Sequence, residues 1–383
     1  MISLHEPTLI GNEKKYVNDC INSTWISTSG KYIKLFEKKI MSYTKSKYAV
    51  AVNSGTSALQ ISLKILKVMP GEEVIVPTLT FIAPVNAIVY NKALPVFMDV
   101  DDYFNIDVKK TKYFLEKCTF TKNGFTYNKK SKRKISALII VHTFGNLADI
   151  NSLTKICNRK KINIIEDAAE SLGSYYRFNS KKFKHSGTIG KVGCLSFNGN
   201  KMLTCGGGGM ILTDKKDLAE KAMYFATQAK DDSINFVHNE VGYNFRMTNI
   251  HAAIGVAQLE KINKFLINKR QIKNKYLNKI LKISGVLLVQ SPKYSKSNNW
   301  LNLIKINSGK FKKNKKQLIK MFLNNSIQVR PVWYPNHLQK PYKNFETYKI
   351  TNAPRLVNKT LCLPSSSHLK SSQINKIVSI LKK

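Results

Sequence analysis

Arginine is scarce in this sequence, acids are few, and no long apolar run occurs. Seven arginines, at positions 133, 159, 177, 246, 270, 330 and 355, stand within a Lys+Arg total of 63, against 23 Asp+Glu, so the formal net charge of +40 is carried almost wholly by lysine. Proteins that read nucleic acid favour arginine, whose planar fork makes bidentate contacts with bases and phosphates. Here the lysines are spread along the whole chain, amid frequent Asn and Ile. That pattern reads as compositional drift, and no nucleic-acid partner is expected. A positive surface would still help to draw in an anionic substrate. The longest apolar run, 137–141, is strand-sized and far short of the ~18 residues a membrane helix needs, so no membrane partner is expected. The opening MISLHEPTLIGNEKKY has an early Glu and no sustained apolar stretch, which argues against a secretory signal and makes the cytoplasm the default location. Six cysteines, at 20, 118, 157, 194, 205 and 362, show neither C-x-x-C spacing nor a zinc-like cluster. Reduced thiols and no metal site are expected.

What is present describes a globular chain. Its 383 residues, 43% hydrophobic and 22% charged, suffice for one large and one smaller unit. Strand-like segments at 73–77, 94–100, 137–142, 162–167, 192–197 and 210–213 alternate with helical ones such as 57–66 and 150–160. This rhythm predicts an α/β architecture, a mainly parallel sheet with helices on both faces. It breaks after residue 250. Residues 249–269 read as one long helix, with Ile250, Ala253, Ile254, Ala257, Ile262 and Phe265 on a 3.6-residue period. The rest reads as an α+β unit, which suggests a large domain over 1–260 and a small one over 261–383. Residues 121–134, TKNGFTYNKKSKRK, are polar and basic, and Asn123-Gly124 is a hairpin turn signal. They are read as a surface hairpin inserted before the strand at 137.

Three clusters could carry chemistry. The first is Asn53-Ser54-Gly55-Thr56-Ser57, where Gly55 permits close approach, Thr56 and Ser57 offer hydroxyls, and the following helix presents free N–H groups. Together they make a plausible phosphate seat. Taken alone, such a segment is more often a plain helix cap. The second is Glu166-Asp167, which ends a buried-looking strand, where ligands of open α/β sheets bind. A protonated pyridinium nitrogen would suit Asp167, although an acid capping the next helix is an equally good explanation of the residue by itself. The third is Ser196-Phe197-Asn198-Gly199-Asn200-Lys201, leading to Gly206–Gly209. It places an amine between a strand and a glycine loop; by counting alone Lys201 is one more surface lysine. Phe81, just past a strand, could stack on a flat ring, but taken alone such a residue is more often core. His142 and His185 read best as structural histidines.

In chain order these motifs are NSGTSAL (53–59), VIVPTLTFIAPVNAIVYNKALPVFMDVD (74–101), VHTFGNLADI (141–150), IIEDAAESLGSYY (164–176), LSFNGNKMLTCGGGGMILT (195–213) and GYNFRMTNIHAAIGVAQL (242–259). With LHEP near the start, RPVWYPNHLQKPY (330–342) and LCLPSSS (361–367), the chain resembles the DegT/StrS-type sugar aminotransferases over essentially its whole length. The resemblance implies the aspartate-aminotransferase (type I) fold and pyridoxal 5′-phosphate, alternating with pyridoxamine phosphate. It implies that Lys201 bonds the cofactor and Asp167 pairs with its ring nitrogen. Phe81 would stack on the ring, Glu170 would lie near the ring hydroxyl, and Gly55, Thr56, Ser57, Ser196 and Asn198 would complete the cofactor set. Asn244 would reach the phosphate of a neighbouring subunit, making a homodimer with shared sites. Arg330, Tyr334 and His337 would face substrate. SFNGNK followed by GGGGM, the inserted hairpin and RPVWYPNHLQKPY most resemble the subgroup acting on UDP-linked 4-keto-6-deoxy-N-acetylglucosamine in legionaminic-acid-type pathways. Two positions depart from the family pattern. Gly207 replaces an acid found in many relatives, and Lys191 stands where Asp is common; both bear on substrate preference.

The expected reaction is amino transfer from L-glutamate to C4 of the nucleotide-linked keto-sugar. Three other readings remain. Some relatives carry histidine in place of the lysine and dehydrate the sugar, and Lys201 argues for amino transfer instead. A regulator that has lost catalysis would not need Lys201 and Asp167. A nucleic-acid binder rests on charge alone.

Overall fold

The computed structural model describes residues 1–382. The segment Ile135–Val141 is buried along its whole length, as a β-branched strand covered on both faces must be. It lies inside an eight-stranded sheet. The strand order is Tyr48–Val52, Gly209–Thr213, Val192–Ser196, Asn163–Asp167, Ile135–Val141, Glu73–Pro77, Leu94–Met98 and Thr347–Tyr348. Every pairing is parallel except those of Gly209–Thr213, which runs antiparallel to both its neighbours. Side chains alternate between the two faces of each strand. Val76, Ile139 and Ile165 pack one face against helices Gly55–Ile65, Ala83–Tyr90 and Lys216–Ala226. Ile75, Ile140 and Ile164 pack the other against Val108–Lys117 and Ile150–Arg159. Further along that second face, Leu195 and Leu212 meet Lys31–Thr44 and Asn249–Glu260. The mainly parallel, doubly covered sheet of fold type I is therefore present.

Six strands lie within about two residues of their expected bounds. Tyr48–Val52, YAVAV, is a strand that the sequence pattern does not predict: two of its five residues are alanine, which carries little strand signal. The long helix expected over 249–269 is instead two, Asn249–Glu260 and Ile262–Ile280, broken where Lys261 leaves helical geometry at φ −105° and ψ 1°. Periodicity misses the break because Ile262 and Phe265 continue into the same core cluster as Val256 and Leu259. Beyond them, Ile272, Tyr276 and Ile280 join a second core with Leu318, Phe322 and Ile377. That core backs a four-stranded antiparallel sheet, ordered Val286–Leu288, Asn302–Ile306, Thr360–Leu363 and Arg330–Pro331.

The basic segment is a hairpin, Thr119–Lys122 with Phe125–Asn128, and it begins slightly earlier than expected. Asn123 and Gly124 at its tip both have positive φ, 49° and 75°, as a tight two-residue turn requires. The hairpin is tethered through Asn128 Nδ2, which donates to Glu73 Oε2 at 2.9 Å and Glu346 Oε2 at 3.0 Å. All six cysteines are unpaired. Among the described residues no helix is long and apolar enough to cross a membrane.

Candidate active site

The strand Asn163–Asp167 ends in two buried acids that point to opposite faces. Glu166 is fully satisfied. It accepts His142 Nε2 and the Gly187 N–H, each at 2.8 Å, and the N–H groups of Ile189 and Gly190 at 2.6 and 2.5 Å. Burial opposes its charge, but these donors hold its carboxyl below the usual value. His142 in turn accepts the Ala148 N–H on Nδ1 at 3.3 Å, which fixes the tautomer that donates to Glu166. His185 is also internally satisfied, between the Ser186 carbonyl and the Gly173 N–H, and burial lowers its pKa to about 4. Both histidines have the structural role expected of them.

Asp167 differs from its neighbour. Its single hydrogen bond within the described residues is from the Ala169 N–H to Oδ1, at 3.0 Å, and its Oδ2 takes none. Burial pushes its carboxyl up, countered by that N–H and by the charge of Lys201. A buried carboxylate with a free oxygen calls for a cationic donor.

Lys201 is presented by a loop between the strands Val192–Ser196 and Gly209–Thr213. The Phe197 N–H donates to the Gly208 carbonyl at 2.9 Å, and the Cys205 N–H to the Phe197 carbonyl at 2.8 Å, which closes the loop at its base. The Lys201 side chain is only 12% exposed, with Nζ 3.5 Å from Glu170 Oε1. Glu170 Oε2 accepts the Phe144 N–H at 2.8 Å. Burial raises the Glu170 pKa to about 7, against the pull of Lys201. The amine also lies over the Trp300 ring, 4.6 Å from its centroid. Asp167, Glu170 and Lys201 are thus brought together beyond the carboxyl end of the parallel strands, where open α/β sheets bind ligands.

The helix Gly55–Ile65 points its N-terminus toward this region. Ser54 caps it by accepting the Ser57 N–H at 3.0 Å, and Ser57 Oγ donates to Asn53 Oδ1 at 2.6 Å. A Cβ on Gly55 would lie 2.8 Å from Ser196 Cβ, so glycine is what lets the two motifs meet. Gly209 has the same role: its Cβ would lie 2.4 Å from the Ser54 carbonyl oxygen. Thr56 and Ser196 are half-buried beside them, and Asn198 is exposed on the loop.

The remaining expected residues are more dispersed. Phe81 is 55% exposed ahead of the helix Ala83–Tyr90, so it is not a core residue. Asn244 is exposed, and its carbonyl accepts Asn53 Nδ2 at 3.5 Å, beside the phosphate-seat motif. Arg330 pairs with Cys362 at the edge of the small sheet, and Tyr334 is 56% exposed. His337 is tied to the large sheet, its Nδ1 2.6 Å from Thr78 Oγ1, and burial lowers its pKa. Sequence reasoning missed three residues. Trp300 lies under the Lys201 amine. Asn298 Nδ2 donates to the Glu170 and Leu172 carbonyls, both at 2.9 Å. His5, 6.4 Å from Trp300 between ring centroids, has both ring nitrogens buried without a partner. No local spacing ties any of them to residue 201; only the rarity of tryptophan, three in the chain, was a signal.

Comparison with known proteins bears on the family and the fold. The model of the DegT/DnrJ/EryC1/StrS aminotransferase family matches residues 7–382. The GDP-perosamine synthase of Escherichia coli O157:H7 is 36% identical over 377 residues, covering 97% of this chain and 95% of the relative. That of Vibrio cholerae is 35% identical over 389 residues, covering 100% and 98%. A solved DegT/DnrJ/EryC1/StrS aminotransferase from Brucella abortus superposes with a TM-score of 0.87 at 25% identity, covering 97% of this chain and 94% of that one. The chain therefore belongs to the DegT/DnrJ/EryC1/StrS aminotransferase family and is a pyridoxal-phosphate-dependent sugar aminotransferase.

Proposed function

We propose that this enzyme moves an amino group from L-glutamate to C4 of a nucleotide-linked 4-keto-6-deoxy sugar, with Lys201 and Asp167 as its catalytic residues. The observation that carries the reading is the convergence of a nearly unpartnered buried carboxylate, Asp167, with a sequestered amine, Lys201, beside a capped helix N-terminus.

The residues present fit pyridoxal phosphate. The helix N-terminus with Gly55, Thr56, Ser57 and Ser196 suits its phosphate. The free Oδ2 of Asp167 suits its ring nitrogen, the exposed Phe81 face its ring, and Glu170 and Asn198 its edge. Bound there, the cofactor supplies an electron sink for the carbon that loses its proton. The protein supplies the rest. Asp167 holds a proton on the facing nitrogen. Lys201 would hold the cofactor at rest, and its Nζ, when free, would take the proton from the glutamate Cα. Glu170, at 3.5 Å, receives part of the charge that develops on that amine. In the second half, Nζ moves a proton in the reverse sense to the sugar carbon that becomes C4–NH2. Asn244 would act across a homodimer, toward the phosphate seat of the partner subunit, and Arg330, Tyr334 and His337 would face the sugar nucleotide.

The motifs favour a UDP-linked 2-acetamido-4-keto-2,6-dideoxyglucose as acceptor. The relatives at 35–36% identity are GDP-perosamine synthases, which favours a GDP-linked acceptor. Incubation of the holoenzyme with L-glutamate and each 4-keto-6-deoxy sugar, followed by mass spectrometry, separates the two. Amino-sugar product from one nucleotide series and not the other assigns the acceptor. A dehydrated, nitrogen-free product would replace amino transfer with dehydration. Conversion of neither sugar would contradict the substrate class.

A further inference from the structure

Lys201 must leave the cofactor once per turnover and stay within reach of the reacting carbon. A lysine stem has four carbons and much rotamer freedom, so a defined resting place for the free amine would shorten its search. Such a place is visible. Nζ lies 4.6 Å over the Trp300 ring centroid and 3.5 Å from Glu170 Oε1. An ammonium is attracted to an indole face electrostatically, and more strongly where water is excluded. Trp300 itself is 3% exposed.

The ring is fixed from several directions. Trp300 Nε1 donates to the carbonyl of Asn200, the residue before the lysine, at 2.7 Å. The Trp300 N–H donates to Asn298 Oδ1 at 2.9 Å, and the same Asn298 side chain holds the Glu170 carbonyl. One short segment therefore fixes both groups that flank the amine. Behind it, Lys269 donates from Nζ to the Trp300 carbonyl at 2.7 Å and to the Ser365 carbonyl. Lys269 is 1% exposed and has no carboxylate partner among the described residues. A buried, unpaired amine is costly, and here it serves to hold the backbone that carries the indole. Phe144, whose N–H is bound to Glu170, lies nearly parallel to the Trp300 ring at 6.4 Å and 18°.

We propose that Trp300 is a positioning residue: its indole face and the Glu170 carboxylate form the seat that Lys201 Nζ occupies whenever it is not bonded to the cofactor. The inference rests on the assignment of Lys201 as the catalytic amine. The seat also gives the C-terminal part of the chain, far from Lys201 in sequence, a direct hand in the chemistry.

The test compares Trp300→Leu, which removes the aromatic face, with Trp300→Phe, which keeps one. If Trp300→Leu does not fold, Trp300→Met replaces it with the same expectations. In the holoenzyme, Trp300→Leu is expected to lower kcat by about tenfold or more with KM for the keto-sugar within about threefold, and Trp300→Phe to stay within about threefold of the parent. In the cofactor-free protein, reductive methylation of Lys201, followed by mass spectrometry, is expected to speed up by about fivefold or more in Trp300→Leu and little in Trp300→Phe. A Trp300→Leu variant that matches the parent in both readouts overturns the proposal, as does a Trp300→Phe variant as impaired as Trp300→Leu. A parent without amino transfer whose methylation still follows this pattern would refute the assigned reaction and leave the seat standing.

Discussion

Glu166 and Asp167 are adjacent buried acids at the end of one strand, yet they sit in opposite kinds of surroundings. On the Glu166 side, three backbone N–H groups and His142 converge on one carboxylate, and its charge is stabilised. On the Asp167 side, one backbone N–H is all the chain provides, and burial works against the charge. A buried acid that the protein satisfies by itself has a structural duty. One that it leaves partly bare is kept for a ligand. The comparison separates residues that a sequence motif, IIEDAAES, presents as equivalent.

Substitutions on the two sides should therefore fail differently. The largest effect is expected at the amine beside Asp167. Lys201→Ala should fold and retain cofactor loosely, yet turn over more than about 10⁴-fold more slowly; near-parental turnover would remove the assignment. Next, Asp167→Asn should lower kcat by on the order of 10²–10³, about 3–4 kcal/mol, with little loss of thermal stability. A fall of less than about tenfold in steady-state assays would mean that Asp167 does not serve the ring nitrogen. Glu166→Gln should show the reverse pattern. Its amide would face N–H donors in a sealed site, costing on the order of 3 kcal/mol in denaturant titrations. The folded fraction should keep its cofactor band and most of its kcat. If activity fell with no change in stability, the two acids would not be distinct in role.

The smallest effect concerns Glu170, and its sign follows from burial. Its folded pKa of about 7 lies above the ordinary 4.5, so the folded protein holds this proton more tightly than the unfolded chain does. The cost of the buried charge is absent below pH 4.5 and complete above pH 7. Glu170→Gln avoids that cost. In cofactor-free protein its stability relative to the parent should rise between pH 5 and pH 8, by on the order of 1–3 kcal/mol. A pH-independent difference in Tm would contradict the raised pKa.

Much of this was legible in the sequence because it is local. β-Branched runs gave six of the eight large-sheet strands. The glycines of NSGTSAL and GGGGM marked a close approach that Gly55 against Ser196, and Gly209 against Ser54, now account for. Asp167 and Lys201 stand out in the sequence because their neighbours form recognisable strand ends and loops. What escaped was non-local or conformational. Trp300 and Asn298 reach the amine from a distant stretch of chain, and His5 arrives from the N-terminus, so no spacing relates them to position 201. The break at Lys261 is a change of backbone direction that leaves the apolar period intact. The structural duty of Glu166 depends on N–H groups some twenty residues downstream, at 187, 189 and 190.

The central claim is that Lys201 and Asp167 form the working half of a cofactor site. The visible spectrum of the purified protein with pyridoxal phosphate, before and after addition of L-glutamate, tests it most directly. The account predicts a protein-bound band in the parent that glutamate converts to the pyridoxamine form, and no such covalent band in Lys201→Ala. Well-folded parent protein that forms no band, or a band that persists unchanged in Lys201→Ala, would contradict it.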